Sequence, residues 1–333
     1  EADTISFEDA LAGGTMMLNG AQLSISSDVT IAGAGAGVTV DADERSRVFE
    51  IAGGASTIEP VTIQNGRAGA NSDHGGGIWV RSGAELTLLG ATVGFNAQSS
   101  GGAIAHDGSL IVGNTSFVAN IAFDGGGAVY NSGDAVIANS MMTGNQAVES
   151  AGAVCNEGAL TLTNLTAVSS IANLSGSDGN GGTIYNEGTA TISHLTATGN
   201  QTDGTGGGIL NADRGTLTLT NGIVLGNDKL SGTEISGDLT ADPVNNITSG
   251  DAETVFASTG SLGTGGPRAG ELADNGGPVE TVALKADAGN PALDAATTGR
   301  PRAPMRAAAC GWRTSAASPT AGRTASTSAR LNC

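Results

Sequence analysis

Gly101–Asn145 reads GGAIAHDGSLIVGNTSFVANIAFDGGGAVYNSGDAVIANSMMTGN, two passes through one short pattern. Each pass opens on paired glycines and a branched residue, continues as alternating apolar positions, and closes on apolar-x-x-Asn. Working outward, the opening phrase recurs as GGGIWV, GGAIAH, GGAVYN, AGAVCN, GGTIYN and GGGILN, with its branched residue at Ile78, Ile104, Val129, Val154, Ile184 and Ile209. The closing phrase ends at Asn96, Asn120, Asn145, Asn200 and Asn227, and Ser170 stands in for Asn in the remaining repeat. Between the phrases, pairs such as Leu110 and Val112, Leu160 and Leu162, Ala190 and Ile192, and Leu217 and Leu219 alternate with polar residues. Period-two alternation punctuated by Gly, Asn, Asp and Ser is a strand-and-turn pattern, not a helical one.

A single repeat of about 25 residues cannot bury its own apolar row, whereas stacked repeats bury a continuous core. The spacing therefore predicts an all-β fold: a single-stranded, right-handed parallel β-helix with three strands per coil and about seven coils over residues 48–228. Residues 1–47 would form the N-terminal cap and first coils, and 229–299 irregular C-terminal coils. Asn residues at one corner of successive coils would bond to one another and to the turn backbone. The longer intervals from Val48 to Ile78 and from Val154 to Ile184 predict protruding loops around Asn71–His74 and Ser175–Asn180.

The strict phrases GGAI ending at Ile104, GGAV ending at Val129 and FVAN ending at Asn120 resemble polymorphic outer-membrane protein repeats. The opening ISFEDALAGGTMMLNGAQLSISSDVTIAGAGAGVTV and the later LADNGGPVETVALKADAGNPALDA (Leu272–Ala295) resemble secreted bacterial parallel β-helix proteins of the choice-of-anchor type, with a pectin-lyase-like fold. The resemblance covers most of residues 4–302. It implies a secreted or cell-surface location in a bacterium and an adhesive role. The family's closing Arg-Gly phrase and its Asp-Ile-Gly-Ala-Phe-Glu strand are absent. From Arg300 onward there are six Arg and no Asp or Glu, whereas the preceding 299 residues hold eight basic and 32 acidic ones. This reversal predicts that the tail, 300–333, is disordered and either read in a shifted frame or an unrelated appendage.

Composition narrows the function. With 54 Gly and only 3% aromatic residues, the chain lacks the large aromatic side chains that dominate ordinary enzyme cores. A net charge of −18 disfavours duplex nucleic acid and anionic membranes, and no apolar run reaches the roughly 20 residues of a membrane helix. The three cysteines, Cys155, Cys310 and Cys333, show no metal-binding spacing. From Ser82 to Asp213 there is no Lys or Arg, so the usual cationic base of a uronate lyase is missing from the central repeats.

Aligned on the branched residue, Asp73, Asp124, Glu149, Asp178 and Asp203 fall at one corner. No cofactor is required by this pattern, but like charges on adjacent coils would be relieved by a weakly held Ca²⁺. A second acidic row reads Asp107, Glu157, Glu187 and Asp213. If the chain is an enzyme, a polysaccharide lyase or glycoside hydrolase, its candidate catalytic groups are Asp124, Glu149, His106 and Asp107. The histidines, His74, His106 and His194, are expected in turns or on the surface. Threonine pairs at Thr161/Thr163, Thr191/Ser193 and Thr216/Thr218 hint at an ice-binding array, but Ile111 and Val136 break the column. The position after each branched residue reads Trp79, Ala105, Tyr130, Cys155, Tyr185 and Leu210, and strand alternation turns it outward. Trp79, Tyr130 and Tyr185 are thus candidate stacking platforms for a polysaccharide or cell-surface glycan. The sequence points to a non-catalytic adhesive or structural protein.

Overall fold

The computed structural model describes residues 3–294 apart from 34, 36, 70–73, 173–179, 230–232, 241–244, 262–267 and 288. The chain divides into two units, Glu1–Pro301 and Arg302–Cys333, and the second lies outside the described residues, as does the expectation for the tail.

The first unit is a parallel β-solenoid of about eight turns. Three parallel sheets of fifteen, nine and six strands form its walls. The nine-stranded sheet, here the glycine sheet, holds the phrases: Ile78–Val80, Ile104–His106, Val129–Asn131, Val154–Asn156, Ile184–Asn186 and Ile209–Asn211. All six branched residues are fully buried. Register carries Ile78 onto Ile104, Val129, Val154, Ile184 and Ile209 in turn. Each buried Ile or Val stabilises the fold by about 1.5–3 kcal/mol relative to exposure.

The paired glycines have separate reasons to be there. The first adopts a left-handed φ at Gly101, Gly126, Gly181 and Gly206, and Ala151 accepts the same conformation (φ 58°) in the one phrase that lacks this glycine. The second approaches the next coil so closely that a Cβ at Gly102 would meet Ile121 N at 2.6 Å. No side chain fits there, and this position is Gly in all six phrases.

Where three strands per coil were expected, the coil starting at Ile104 has four segments: Ile104–His106, Ser109–Gly113, Ser116–Val118 and Ile121–Ala122. The middle two belong to the fifteen-stranded broad sheet and merge in later coils into Asp134–Thr143, Ala159–Val168 and Thr189–Thr198. Single left-handed residues bend this sheet at Asn114, Asn139, Asn164, His194 and Asn221, whose φ lies between 50° and 56°. Asn tolerates this region better than most residues. Asn164 also donates to Asn139 Oδ1 at 2.9 Å, so the bend carries an external amide stripe.

Two Asn ladders run inside. In the first, Asn96 donates to Asn120 (3.0 Å), Asn120 to Asn145 (2.9 Å) and Asn200 to Asn227 (2.8 Å). The same amides reach back to turn carbonyls, as Asn120 does to Val93 O at 2.9 Å. Glu234 ends this ladder by accepting from Asn227 at 2.9 Å, and Lys229 pairs with it at 3.3 Å. The second ladder, Asn131–Asn156–Asn186–Asn211, has 2.6 Å at every rung.

After Ile235–Ser236 the chain stacks once more, with Thr240 bonded to Leu217 and Ile247 bridged in parallel to Ile223, and then leaves the solenoid pattern. It forms two small antiparallel pairs and two single-turn helices, Ala252–Val255 and Pro291–Asp294. Ala252, Val255, Phe256 and Val282 pack on Val168 and Leu225 as a second small core. Of the expected loops, residues 71–73 and 175–179 lie outside the described residues. Among the described residues, no helix is long and apolar enough to cross a membrane.

Candidate functional site

The outward column of the glycine sheet is in register. Trp79 pairs with Ala105, which leads in turn to Tyr130, Cys155, Tyr185 and Leu210. Adjacent coils are about 4.8 Å apart, so the two tyrosines stand about 10 Å apart. Both tyrosines and Trp79 are partly exposed, whereas Ala105 and Cys155 are buried.

The phenols are held by carboxylates. Tyr185 donates to Glu187 Oε1 at 2.6 Å, two residues on in its own coil, whereas Tyr130 reaches across to the carboxylate of Glu157 in the next coil. Partial burial, followed by these bonds and charges, pushes both phenol pKa values up. Cys155 lies between the tyrosines, and its thiol is pushed up first by burial and then by Glu157 and Glu187. The phenols therefore act as hydrogen-bond donors and apolar faces at neutral pH, and the thiol stays protonated.

Trp79 has different surroundings. The Arg47 and Arg81 guanidinium carbons lie 5.0 and 4.3 Å from its ring centroid, and His74 stacks on it at 5.2 Å. Its Nε1 points to Asp107 Oδ2 at 3.4 Å. Arg47 is buried and donates to Gly75 O (2.8 Å), His74 O (2.6 Å) and Gln22 (2.7 Å). Burial lowers its pKa to about 10, with Glu50 opposing and Arg81 adding to that fall. Glu50 bonds Arg81 (2.5 Å), Gln22 (2.7 Å) and Ser24 (3.0 Å). Burial raises its pKa, but the bonds from Arg81 and Ser24 and the two guanidinium charges outweigh this and leave it below the usual range. The indole thus forms part of a self-satisfied polar cluster, unlike the two tyrosines.

Acidic residues border the column on both sides. Asp124, Glu149 and Asp203 are exposed at the glycine corner, with Ser100 Oγ donating to Asp124 at 3.3 Å. Asp73 and Asp178 lie outside the described residues. Among the described residues, no three His, Cys, Asp or Glu side chains are grouped so as to hold a metal ion. On the other side run Asp107, Ser132, Glu157 and Glu187, with Ser132 Oγ on Asp107 at 2.6 Å. Asp213, assigned to that row from spacing, is displaced because Ala212 makes the equivalent backbone bond, to Asn186 O at 2.9 Å.

His106 corrects the expectation of surface histidines. It is fully buried, pairs in register with Asn131, and has no hydrogen bond on either ring nitrogen. It occupies the inward position that Asn holds in the next four coils, so alternation from Ile104 turns it inward. Burial lowers its pKa to about 4, against smaller upward pulls from the Gly108 backbone, Asp107 and Asp134. The four candidate catalytic residues are accordingly divided: Asp124 and Glu149 at one corner, Asp107 beyond the other end of the strand, and His106 inside. His194 is exposed at the bend and lies 3.3 Å from Asn221.

The second Asn ladder was missed from the sequence, although its signal was present in the phrase endings His106, Asn131, Asn156, Asn186 and Asn211. The threonine pairs also change. Thr216 aligns with Thr189 and Thr218 with Thr191, so Thr218 and Thr220 continue the rows of Thr161/Thr163 and Thr191/Ser193. No protein family matches the chain, and comparison with curated proteins and with solved structures returns no match.

Proposed function

We propose that this chain is a non-catalytic, secreted or surface-displayed bacterial β-helix of the right-handed, polymorphic outer-membrane protein repeat type, which binds glycans on its Tyr130–Tyr185 face. The observation that carries this reading is the pair of partly exposed phenols in one outward column, each fixed by a carboxylate, Glu157 or Glu187. Aromatic rings with a polar tip suit a ligand whose surface alternates between apolar and hydroxylated patches. Fixed rotamers lower the entropic cost of binding an extended chain. The repeats provide a stiff scaffold whose outward positions can vary without disturbing the core.

Glycan-array binding by the parent protein tests this, alongside a Tyr130→Ala, Tyr185→Ala variant. Binding in the parent that is lost in the variant, with the β spectrum retained, supports the reading; absence in the parent or survival in the variant refutes it. Trp79 is left intact because its removal would disturb the Arg47–Glu50–Arg81 cluster.

A polysaccharide lyase or hydrolase is the second reading. What favours it is the gathering of Arg47, Arg81, His74, Glu50 and Asp107 about Trp79, unlike groups on one face. Against it, Arg47 and Glu50 spend their bonds on neighbouring groups. Release of reducing ends or unsaturated products from a polysaccharide panel would establish it.

A further inference from the structure

A hollow of about 440 Å³ opens where the glycine sheet passes into the broad sheet, lined by Glu85, Asp107, Ser109, Ser132 and Asp134 over a glycine backbone floor. Asp107 joins this hollow to the aromatic column, since it accepts from Trp79 and its charge reaches Tyr130. Glu157 and Glu187 extend the same negative edge past Tyr185. Between Ser82 and Asp213 the sequence has no Lys or Arg, and at the Trp79 end Arg81 is paired with Glu50 while Arg47 is buried and donates to the Gly75 and His74 carbonyls. The tyrosine column therefore lies in a negative field that repels uronates and sulfated sugars and attracts cationic ligands.

The geometry also discriminates among cations. The described carboxylates are not grouped around any one point where a metal ion could be held. Spread along an edge, they match positive charges spaced along an extended molecule. A phenol face adds a cation–π attraction for an ammonium group. We infer that the glycan is an amino-sugar oligomer with free amines, its rings on Tyr130 and Tyr185 and its ammonium groups directed to Asp107, Asp134, Glu157 and Glu187. This rests on the glycan-binding reading above and specifies its ligand class.

The test titrates the full chain by calorimetry with glucosamine, N-acetylglucosamine and galacturonate oligomers and with oligolysine, at low and high salt. Glucosamine oligomers should bind, N-acetylation should weaken binding about tenfold or more, and high salt should do likewise. Galacturonate should not bind. An Asp107→Asn, Asp134→Asn variant should lose most of the preference for the free amine while keeping its circular dichroism spectrum. Equal affinity for acetylated and free-amine oligomers would overturn the amine assignment and leave glycan binding intact. Failure of every oligosaccharide would remove both readings. Oligolysine binding as tightly as the glucosamine oligomer, and unaffected by Tyr130→Ala, would reduce the site to nonspecific attraction and also overturn the assignment.

Discussion

His106 pairs in register with Asn131, yet its two ring nitrogens are unbonded, while Asn131 donates to Asn156 at 2.6 Å. The ladder thus begins one coil later than the register allows. His106→Asn places an amide where it can donate to Asn131, and each net hydrogen bond contributes about 1 kcal/mol. Urea unfolding at neutral pH should give a higher midpoint for the variant. An equal or lower midpoint would mean that the imidazole's packing outweighs the missing rung.

The same residue sets an acid dependence. The unfolded chain protonates this imidazole near pH 6.5, whereas the native state does so only near 4. Its contribution is therefore full above about pH 6.5, declines as pH falls toward 4, and is flat below that. The difference amounts to about 3 kcal/mol. Denaturation curves across this window should be steeper in pH for the parent than for His106→Asn. Parallel profiles would refute the assignment.

Ser170 interrupts the first ladder between Asn145 and Asn200. Its backbone N–H donates to Asn200 Oδ1 at 2.9 Å, but its buried hydroxyl has no partner. Ser170→Asn should restore a rung and raise stability by about 1 kcal/mol, removing one unsatisfied polar atom. Thermal melting is the check, and a lowered melting temperature would show that this coil is too narrow for the larger side chain.

The solenoid was legible because its determinants repeat. Ile104 and Val129 announce the inward row, and Asn120 and Asn145 announce a corner whose amides bond as expected. Features carried by a single atom's surroundings were not legible. Nothing in the letters Trp79, Tyr130 and Tyr185 distinguishes an indole enclosed by Arg47, Arg81 and His74 from phenols fixed by Glu157 and Glu187. Those contacts join residues that are brought together only by register. His106 is buried, against the expectation for all three histidines, because it stands two residues after the inward Ile104 and strand alternation turns it inward as well. The fourth segment of the coil is hard to read from the letters because one left-handed residue, such as Asn164, bends a continuous strand and shifts its inward row by one position, from Leu160 and Leu162 to Leu165 and Ala167, so that one bent strand reads as two short alternations.

Cys155 should be unreactive in the native protein. It is buried between Tyr130 and Tyr185, and burial with Glu157 and Glu187 nearby raises its thiol pKa, so the reactive thiolate is scarce. Iodoacetamide labelling followed by peptide mapping should leave Cys155 unmodified at pH 8 until denaturant is added. Rapid native labelling would show that the tyrosine face opens.

Gly133 tests the close stacking of the coils. Its φ is not left-handed, so backbone strain does not demand glycine, and relief of chain entropy alone would make Gly133→Ala mildly stabilising. The Cβ, however, would collide with the carbonyl oxygen of Gly108 in the adjacent coil, and the Gly133 amide must keep its bond to Asn131 Oδ1 at 3.1 Å. Gly158 and Gly188 repeat this contact, each against the carbonyl of the glycine one coil earlier. Ala84 occupies the column nearer the N-terminus, where the neighbouring coil presents Gly54 at φ 75° and so follows a different backbone path. Gly133→Ala should therefore cost about 1–3 kcal/mol, the usual price of forced overpacking. Chemical denaturation is the measurement. A neutral or stabilising result would mean that adjacent coils can separate at this corner, in which case the floor of the hollow beside Asp107 is a yielding surface.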